Sequence, residues 1–200
     1  MNTQQDTKVN ESFIHHPGWF KLRGQIMLVL GVLLTLFSML APNVSMLGVV
    51  SSWLPFSSVL IMAYGLLRCI DAFAAEHTSH AIMNAQNGII DMVCGFMIFS
   101  NVGEPAEMLG IIVAAYLLMQ GLNRMVMVVA LELVNPNSVR IGGVVSILFG
   151  LMVWLSWPFS GLWFLSFAMG AEIANRGWAL VFYAKAVAGQ QAESLANSDR

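Results

Sequence analysis

Charge is scarce in this chain. Of its 200 residues, 9 are Lys or Arg and 11 are Asp or Glu. That is a tenth of the total, where a soluble domain carries about a quarter. Such a composition excludes an ordinary water-facing surface. No basic patch is present, so nucleic acid is not an expected partner. Cysteine is nearly absent. Cys69 and Cys94 both lie inside apolar runs, where they read as small buried hydrophobes, and no disulfide framework is implied. The common enzyme signatures are missing too: no Gly-rich phosphate loop, no His-Glu-x-x-His, no Gly-x-Ser-x-Gly. The chain therefore reads as a non-enzyme without cofactor or metal. The segment from Glu76 to His80, with His77 and His80, can be drawn as a metal site, but it lacks a fourth firm ligand. Those two histidines, with His15 and His16, read as solvated loop groups that titrate near about pH 6.5.

What the chain has in abundance is apolar residues, 58% of the total. They fall into six runs, about 20–40, 53–73, 81–100, 107–128, 139–157 and 162–183. Each is close to the roughly 20 residues that an α-helix needs to cross the hydrocarbon of a bilayer. The expected fold class is an all-α integral membrane protein of six transmembrane helices. Its domains are a polar N-terminal tail over 1–18, a transmembrane domain over 19–186 and a polar C-terminal tail over 187–200. The tails lack periodic apolar residues and are expected to be disordered or loosely interfacial. The run that opens at Phe20 is longer than the apolar core of a secretory signal, so it reads as a retained first helix.

Glycine marks a repeat. Gly24 and Gly31 open one copy, Gly88 and Gly95 a second, Gly143 and Gly150 a third. The closing glycines Gly65, Gly121 and Gly177 follow one another at intervals of 56 residues. The copies are three helical hairpins, about 20–75, 81–131 and 139–185, each turning at a Pro-bearing break: Pro42, Pro105 and Pro158. The first copy carries about eight extra residues within 43–58, where Pro55 kinks or starts the second helix. Seven residues make two turns, so each opening pair shares one face, and small residues let helix backbones approach closely in lipid. Leu34 is expected on the opposite, lipid-facing side.

The Lys and Arg distribution orients the chain. The three hairpin turns contain none, and all nine basic residues lie at or toward the opposite ends. The positive-inside rule puts both termini in the cytoplasm. Trp53, Trp157 and Trp163 then mark the outer interface and Trp19 the inner one.

Five of the charged residues within the apolar runs stand out for their depth. Arg68, Arg124 and Arg176 lie in the inner halves of helices two, four and six. Either they reach to the inner headgroups or they face the bundle interior. Asp91 lies at a similar level in the third helix and is the expected partner of Arg68 or Arg124. Glu172 sits near the midplane, where a carboxylate costs about 2.5–3.5 kcal/mol on insertion scales. It must be protonated, paired with Arg176 one turn on, or next to water. These five are the candidate polar or proton-handling residues.

Three hairpins, mid-helix glycines, Pro at the outer turns and Gly near the inner ends resemble the HdeD-type acid-resistance membrane proteins of bacteria. The closest likeness is in the third hairpin, in the segment Gly143 to Gly150 and in Gly170, Ala171, Glu172 and Ile173. The resemblance spans about 19–186. It implies a multi-pass bacterial inner-membrane protein that supports tolerance of acid and other stress. It brings no catalytic or transport mechanism, and of the candidate residues only Glu172 matches. Three function classes stay open: a non-enzymatic stress protein that limits proton entry or stabilises the membrane or a partner, a small transporter or channel for protons or a small solute, and a scaffold subunit of a membrane complex. The partners expected are the lipid bilayer and a second copy or another membrane protein.

Overall fold

A computed structural model describes residues 17–41, 44–46, 49–51, 53–73, 78–130, 136–156 and 161–198. Six helices account for nearly all of them: α1 (Pro17–Leu40), α2 (Leu54–Phe73), α3 (Thr78–Ser100), α4 (Ala106–Ala130), α5 (Pro136–Trp154) and α6 (Leu162–Ser198). The one departure from an all-helical chain is a small antiparallel ribbon between α1 and α2. In it β1 (Val44–Met46) pairs with β2 (Val49–Ser51), with Ser45 opposite Val50. This ribbon lies within 43–58, the stretch where the sequence placed residues beyond the helical pattern. The tail before Pro17, His77, Pro42, Trp157 and Pro158 lie outside the described residues, as do the side chains of Trp19 and His80.

Four of the helices contain stretches long and apolar enough to cross a membrane: Lys21–Leu40, Leu54–Phe73, Ala106–Val129 and Asn137–Trp154. The two that fall short are α3 and α6. They carry Asn84, Gln86, Asn87 and Asp91 in one case and Glu172, Asn175 and Arg176 in the other. α6 has 37 residues, about 55 Å of helix, well beyond the roughly 30 Å of bilayer hydrocarbon. It continues through Ser198, where the sequence predicted a disordered or loosely interfacial polar tail. A helix already nucleated by packing extends at low cost, which overrides the weak local signal of the Gln- and Ala-rich segment.

Local chemistry explains the helix ends. Pro55 sits in the first turn of α2, where its missing N–H costs nothing. The Ser57 and Ser58 hydroxyls, both buried, donate back to the Leu54 and Pro55 carbonyls at 2.8 and 2.7 Å. The Trp53 indole donates to the Ala41 carbonyl at 3.1 Å and stacks on Phe37, tying the end of α1 to the start of α2. Asn101 closes α3 by donating from its amide to the Met97 carbonyl at 2.7 Å. Ser156, just past α5, adopts a positive φ of 51°, the left-handed conformation that ends many helices.

The intimate packing does not fall within the predicted hairpins. α1 packs along α6, α2 along α3, and α4 along α5. The glycines decide this. A Cβ at Gly65 would lie 2.7 Å from the Gly88 carbonyl oxygen, and one at Gly88 would lie 2.8 Å from the Gly65 carbonyl oxygen. Gly121 and Gly143 stand in the same relation, at 2.8 and 3.1 Å, and a Cβ at Gly177 would lie 2.7 Å from the Gly24 carbonyl oxygen. Thus each closing glycine of an even helix meets an opening glycine of an odd one. Gly31 faces the Ala174 backbone, Gly95 faces Met62 and Gly150 faces Leu118.

Leu34 is not lipid-facing. It is 3% exposed and belongs to the core, against Gly170 of α6. It lies three residues after Gly31, and residues three apart share a helix face. The remaining core is built from Ile61, Ile98, Leu109, Val113, Leu117, Phe164, Ala168, Met169 and Ile173. A ring of large apolar side chains faces outward, among them Val29, Phe96, Ile111, Leu122, Ile141 and Trp178. That is the surface a lipid-embedded bundle presents.

Candidate functional site: a buried charge network

The polar residues of α2 to α6 meet inside the bundle. Asp91 is fully buried and Glu172 is 1% exposed. Arg176, also buried, lies between them. Its Nη1 donates to Asp91 Oδ2 at 2.8 Å, its Nε to Glu172 Oε1 at 3.1 Å and its Nη2 to the Tyr116 hydroxyl at 2.6 Å. That hydroxyl in turn donates to Asp91 Oδ1 at 2.8 Å, and the Gln120 amide donates to the same oxygen at 2.9 Å. Arg124 closes the other side, donating from Nη2 to Glu172 Oε1 at 2.6 Å and from Nη1 to the Gly142 carbonyl and Ser146 Oγ at 3.1 Å each. Ser146 Oγ lies 2.5 Å from Glu172 Oε2 and 2.9 Å from the Gly142 carbonyl.

All four carboxylate oxygens of Asp91 and Glu172 therefore have donors from the protein. This matters because a charge taken out of water is tolerated only when paired and hydrogen-bonded. Two guanidiniums against two carboxylates leave the heart of the network neutral. The charged groups come from α3, α4 and α6, with Ser146 from α5, so the network ties together four helices that also share the apolar core.

A second group lies beside it. Tyr64 of α2 is buried, with the guanidiniums of Arg23, Arg68 and Arg176 at 4.7, 5.1 and 5.4 Å from its ring centre. Such placement favours the cations electrostatically. Arg23 also donates to Asp71 Oδ2 at 2.5 Å, and Arg68 stands 3.6 Å from Asp91.

The five charged residues singled out in the sequence thus come together: the expected Asp91–Arg68 and Glu172–Arg176 ion pairs form, at 3.6 and 3.1 Å, and Arg176–Asp91 and Arg124–Glu172 join them. Arg124 and Arg176 face the interior and do not snorkel; Arg68 alone retains moderate exposure, 20% of its side chain. Asp91 takes its hydrogen bonds from Arg176, Tyr116 and Gln120 rather than from Arg68 or Arg124. Glu172 does pair with Arg176, and equally with Arg124. The physical reason is depth. Arg176 precedes Gly177 where Arg68 and Arg124 follow their closing glycines by three, so it is the one that reaches both acids.

Sequence reasoning missed Tyr64, Tyr116, Gln120, Arg23, Asp71, Asn175 and Ser146 as partners in this network. A signal was present. Tyr64, Gln120 and Arg176 each immediately precede a closing glycine. One residue is 100° around a helix. When the glycine faces the neighbouring helix, its predecessor turns toward the bundle centre. Asn175, two before Gly177, donates to the Gly142 carbonyl at 2.9 Å. Asn123 and Asn87 join α4 to α3 at 3.0 Å.

Among the described residues no cluster of three His, Cys, Asp or Glu side chains is arranged to hold a metal ion. A cavity of about 470 Å³ lies between α1, α5 and α6, bounded by Ser138, Gly142, Asn175 and Trp178. The fold and this site define a helical protein with membrane-compatible helices and an ion-pair network at its centre. No protein-family model matches the chain, and no curated protein or solved structure matches it either.

Proposed function

We propose that this chain is a six-span protein of a bacterial inner membrane, with both termini cytoplasmic, that supports acid tolerance without enzymatic turnover. In this reading α3 and α6 span the bilayer together with the four more apolar helices. The observation that carries it is the network of Asp91, Glu172, Arg124 and Arg176. Polar groups that would bar α3 and α6 from lipid satisfy one another inside the bundle. The three glycine contacts, Gly65 with Gly88, Gly121 with Gly143 and Gly177 with Gly24, support a threefold repeat closed into a ring. A carboxylate pair whose oxygens are all engaged by the protein holds helices together, as suits a part that limits proton entry or steadies the membrane or a partner.

The acid-tolerance element comes from the HdeD-type resemblance, and the test is direct. Cells lacking the protein are challenged at low pH while cytoplasmic pH is recorded, with wild-type and Glu172→Gln chains supplied in turn. Unchanged survival and unchanged cytoplasmic pH on deletion would remove this reading.

A transporter of protons or a small solute is the second reading. One observation favours it: the cavity beside α5 and α6 ends on Gly142 and Asn175, and Ser146 joins both of them to Glu172. Liposomes holding purified protein separate the two, since only a transporter dissipates an imposed pH or solute gradient.

A further inference from the structure

α1 and α2 follow one another in sequence, yet each packs along a different helix, α1 on α6 and α2 on α3. An apolar cleft of about 220 Å³ remains between them. Ile26 of α1 and Leu60, Ala63 and Leu67 of α2 line its walls, together with Arg23 and Tyr64. Arg23 in this lining and Arg68, whose guanidinium lies 5.1 Å from the centre of the Tyr64 ring, are incompletely used. Arg23 spends Nη1 on Asp71, while its Nε is buried without a partner among the described residues, in a side chain nine-tenths buried. Arg68 has Asp91 as its charge partner at 3.6 Å, beyond hydrogen-bond reach, and Asp91 already accepts from Arg176, Tyr116 and Gln120. Both guanidiniums lie over the Tyr64 ring. Counted together, Arg23, Arg68, Arg124 and Arg176 share three carboxylates, Asp71, Asp91 and Glu172. Among the described residues one of these positive charges is left over, on the side of Tyr64 where Arg23 and Arg68 lie over a ring that lines the cleft.

We propose that this cleft binds an anionic phospholipid of the inner leaflet, with an acyl chain between α1 and α2 and the phosphate on Arg68 and Arg23. The inference rests on the reading of the chain as a membrane protein with its basic helix ends at the cytoplasmic face. Basic pockets between membrane helices on that side suit anionic headgroups. Phosphate oxygens offer guanidinium groups paired acceptors in matching geometry. A zwitterionic lipid would add its own ammonium to a site already positive by one charge. Inorganic phosphate alone could meet the guanidiniums, but it would leave the apolar walls unfilled. The lipid satisfies both halves of the site.

The test uses the full chain, purified in mild detergent and inserted into lipid nanodiscs. Phosphatidylglycerol, phosphatidylcholine and inorganic phosphate are compared as additives by thermal unfolding, and retained lipid is read by native mass spectrometry. The expected result is retention of phosphatidylglycerol over phosphatidylcholine by roughly fivefold for each guanidinium engaged, a raised unfolding midpoint with that lipid, and no shift with phosphate. Arg68→Gln should lose most of the preference. Ala63→Trp, at an exposed cleft position, should fold and lose retention of both lipids, and it decides the matter if Arg68→Gln does not fold. Equal retention of the two lipids overturns the proposal. So does an Arg68→Gln chain that keeps the preference, an Ala63→Trp chain that retains lipid as wild type does, or a full stabilising shift from phosphate alone. Insertion into nanodiscs without anionic preference removes this inference only. Failure to insert at all removes the membrane reading and this inference with it.

Discussion

Replacing Glu172 by glutamine removes one charge from the buried network while keeping its shape. In the native chain Oε1 accepts from Arg124 and Arg176 at 2.6 and 3.1 Å, and Oε2 lies 2.5 Å from Ser146 Oγ. A glutamine retains the first acceptor. Its amide N–H can donate to Ser146 Oγ, which then sends its own proton to the Gly142 carbonyl at 2.9 Å. No hydrogen bond need be stranded, so the loss is electrostatic. It falls mainly on Arg124, because Arg176 keeps Asp91 at 2.8 Å. Removing one partner of a buried pair costs about 3–5 kcal/mol. Arg124 is 12% exposed and retains Gly142 and Ser146 as acceptors, which places the expected loss at the lower end, about 3 kcal/mol. Glu172→Ala should cost more, since it also leaves Arg124 Nη2 and Arg176 Nε without the acceptor they share. The compensating change is Arg124→Gln. Added to Glu172→Gln it removes the orphaned charge and should recover about 1–3 kcal/mol as a coupling energy. Arg176→Gln should not rescue, because it abandons Asp91. Unfolding in mixed micelles titrated with a denaturing detergent, followed by tryptophan fluorescence and helical signal, measures all four chains. A Glu172→Gln protein as stable as wild type would refute the reasoning, as would rescue by Arg176→Gln equal to that by Arg124→Gln.

Three further outcomes follow from packing and charge. Gly31→Ala should destabilise by about 1–3 kcal/mol, because the new methyl would meet the Ala174 backbone; Gly110→Ala, whose Cβ would meet only Val153 at 4.0 Å, should change stability by no more than about 1 kcal/mol, and the same micelle titration compares them. Leu34→Ala, in the core, should cost about 2–5 kcal/mol, whereas Leu40→Ala, at a position 80% exposed, should leave the unfolding midpoint where it was. A reporter active only in the cytoplasm should work when fused after Arg200 and fail after Gly103 in the turn between α3 and α4, since the basic residues cluster at the opposite helix ends; activity at Gly103 would reverse the topology.

The helices themselves were legible in the sequence. Long apolar runs broken by proline and glycine leave a chain little choice in lipid, where every backbone group must be satisfied within the segment. The expected runs overlap α1 to α5 closely and the first part of α6, which runs on to Ser198. The glycines were legible as contact points because only their size matters there. Their partners were not: the pattern shows that Gly65 and Gly88 each need a near neighbour, but not that they are neighbours of each other. The charged residues deep in the runs were legible as a group, since an ionisable side chain at that depth stands out, whereas Arg23 and Asp71 near the run ends did not. Their full pairing was not. Whether Arg124 reaches a headgroup or Glu172 depends on which way its helix is rotated, and that rotation is set by packing of α4 on α5 and of α6 on α1. Tertiary structure alone decided that Arg176 joins both acids, that Tyr116 and Gln120 complete Asp91, and that Leu34 turns inward. A rotation of 100° per residue moves a side chain from the outer face to the core with no change in composition, so the sequence by itself settled where the apolar helices run, and only the assembled bundle settled what meets inside it.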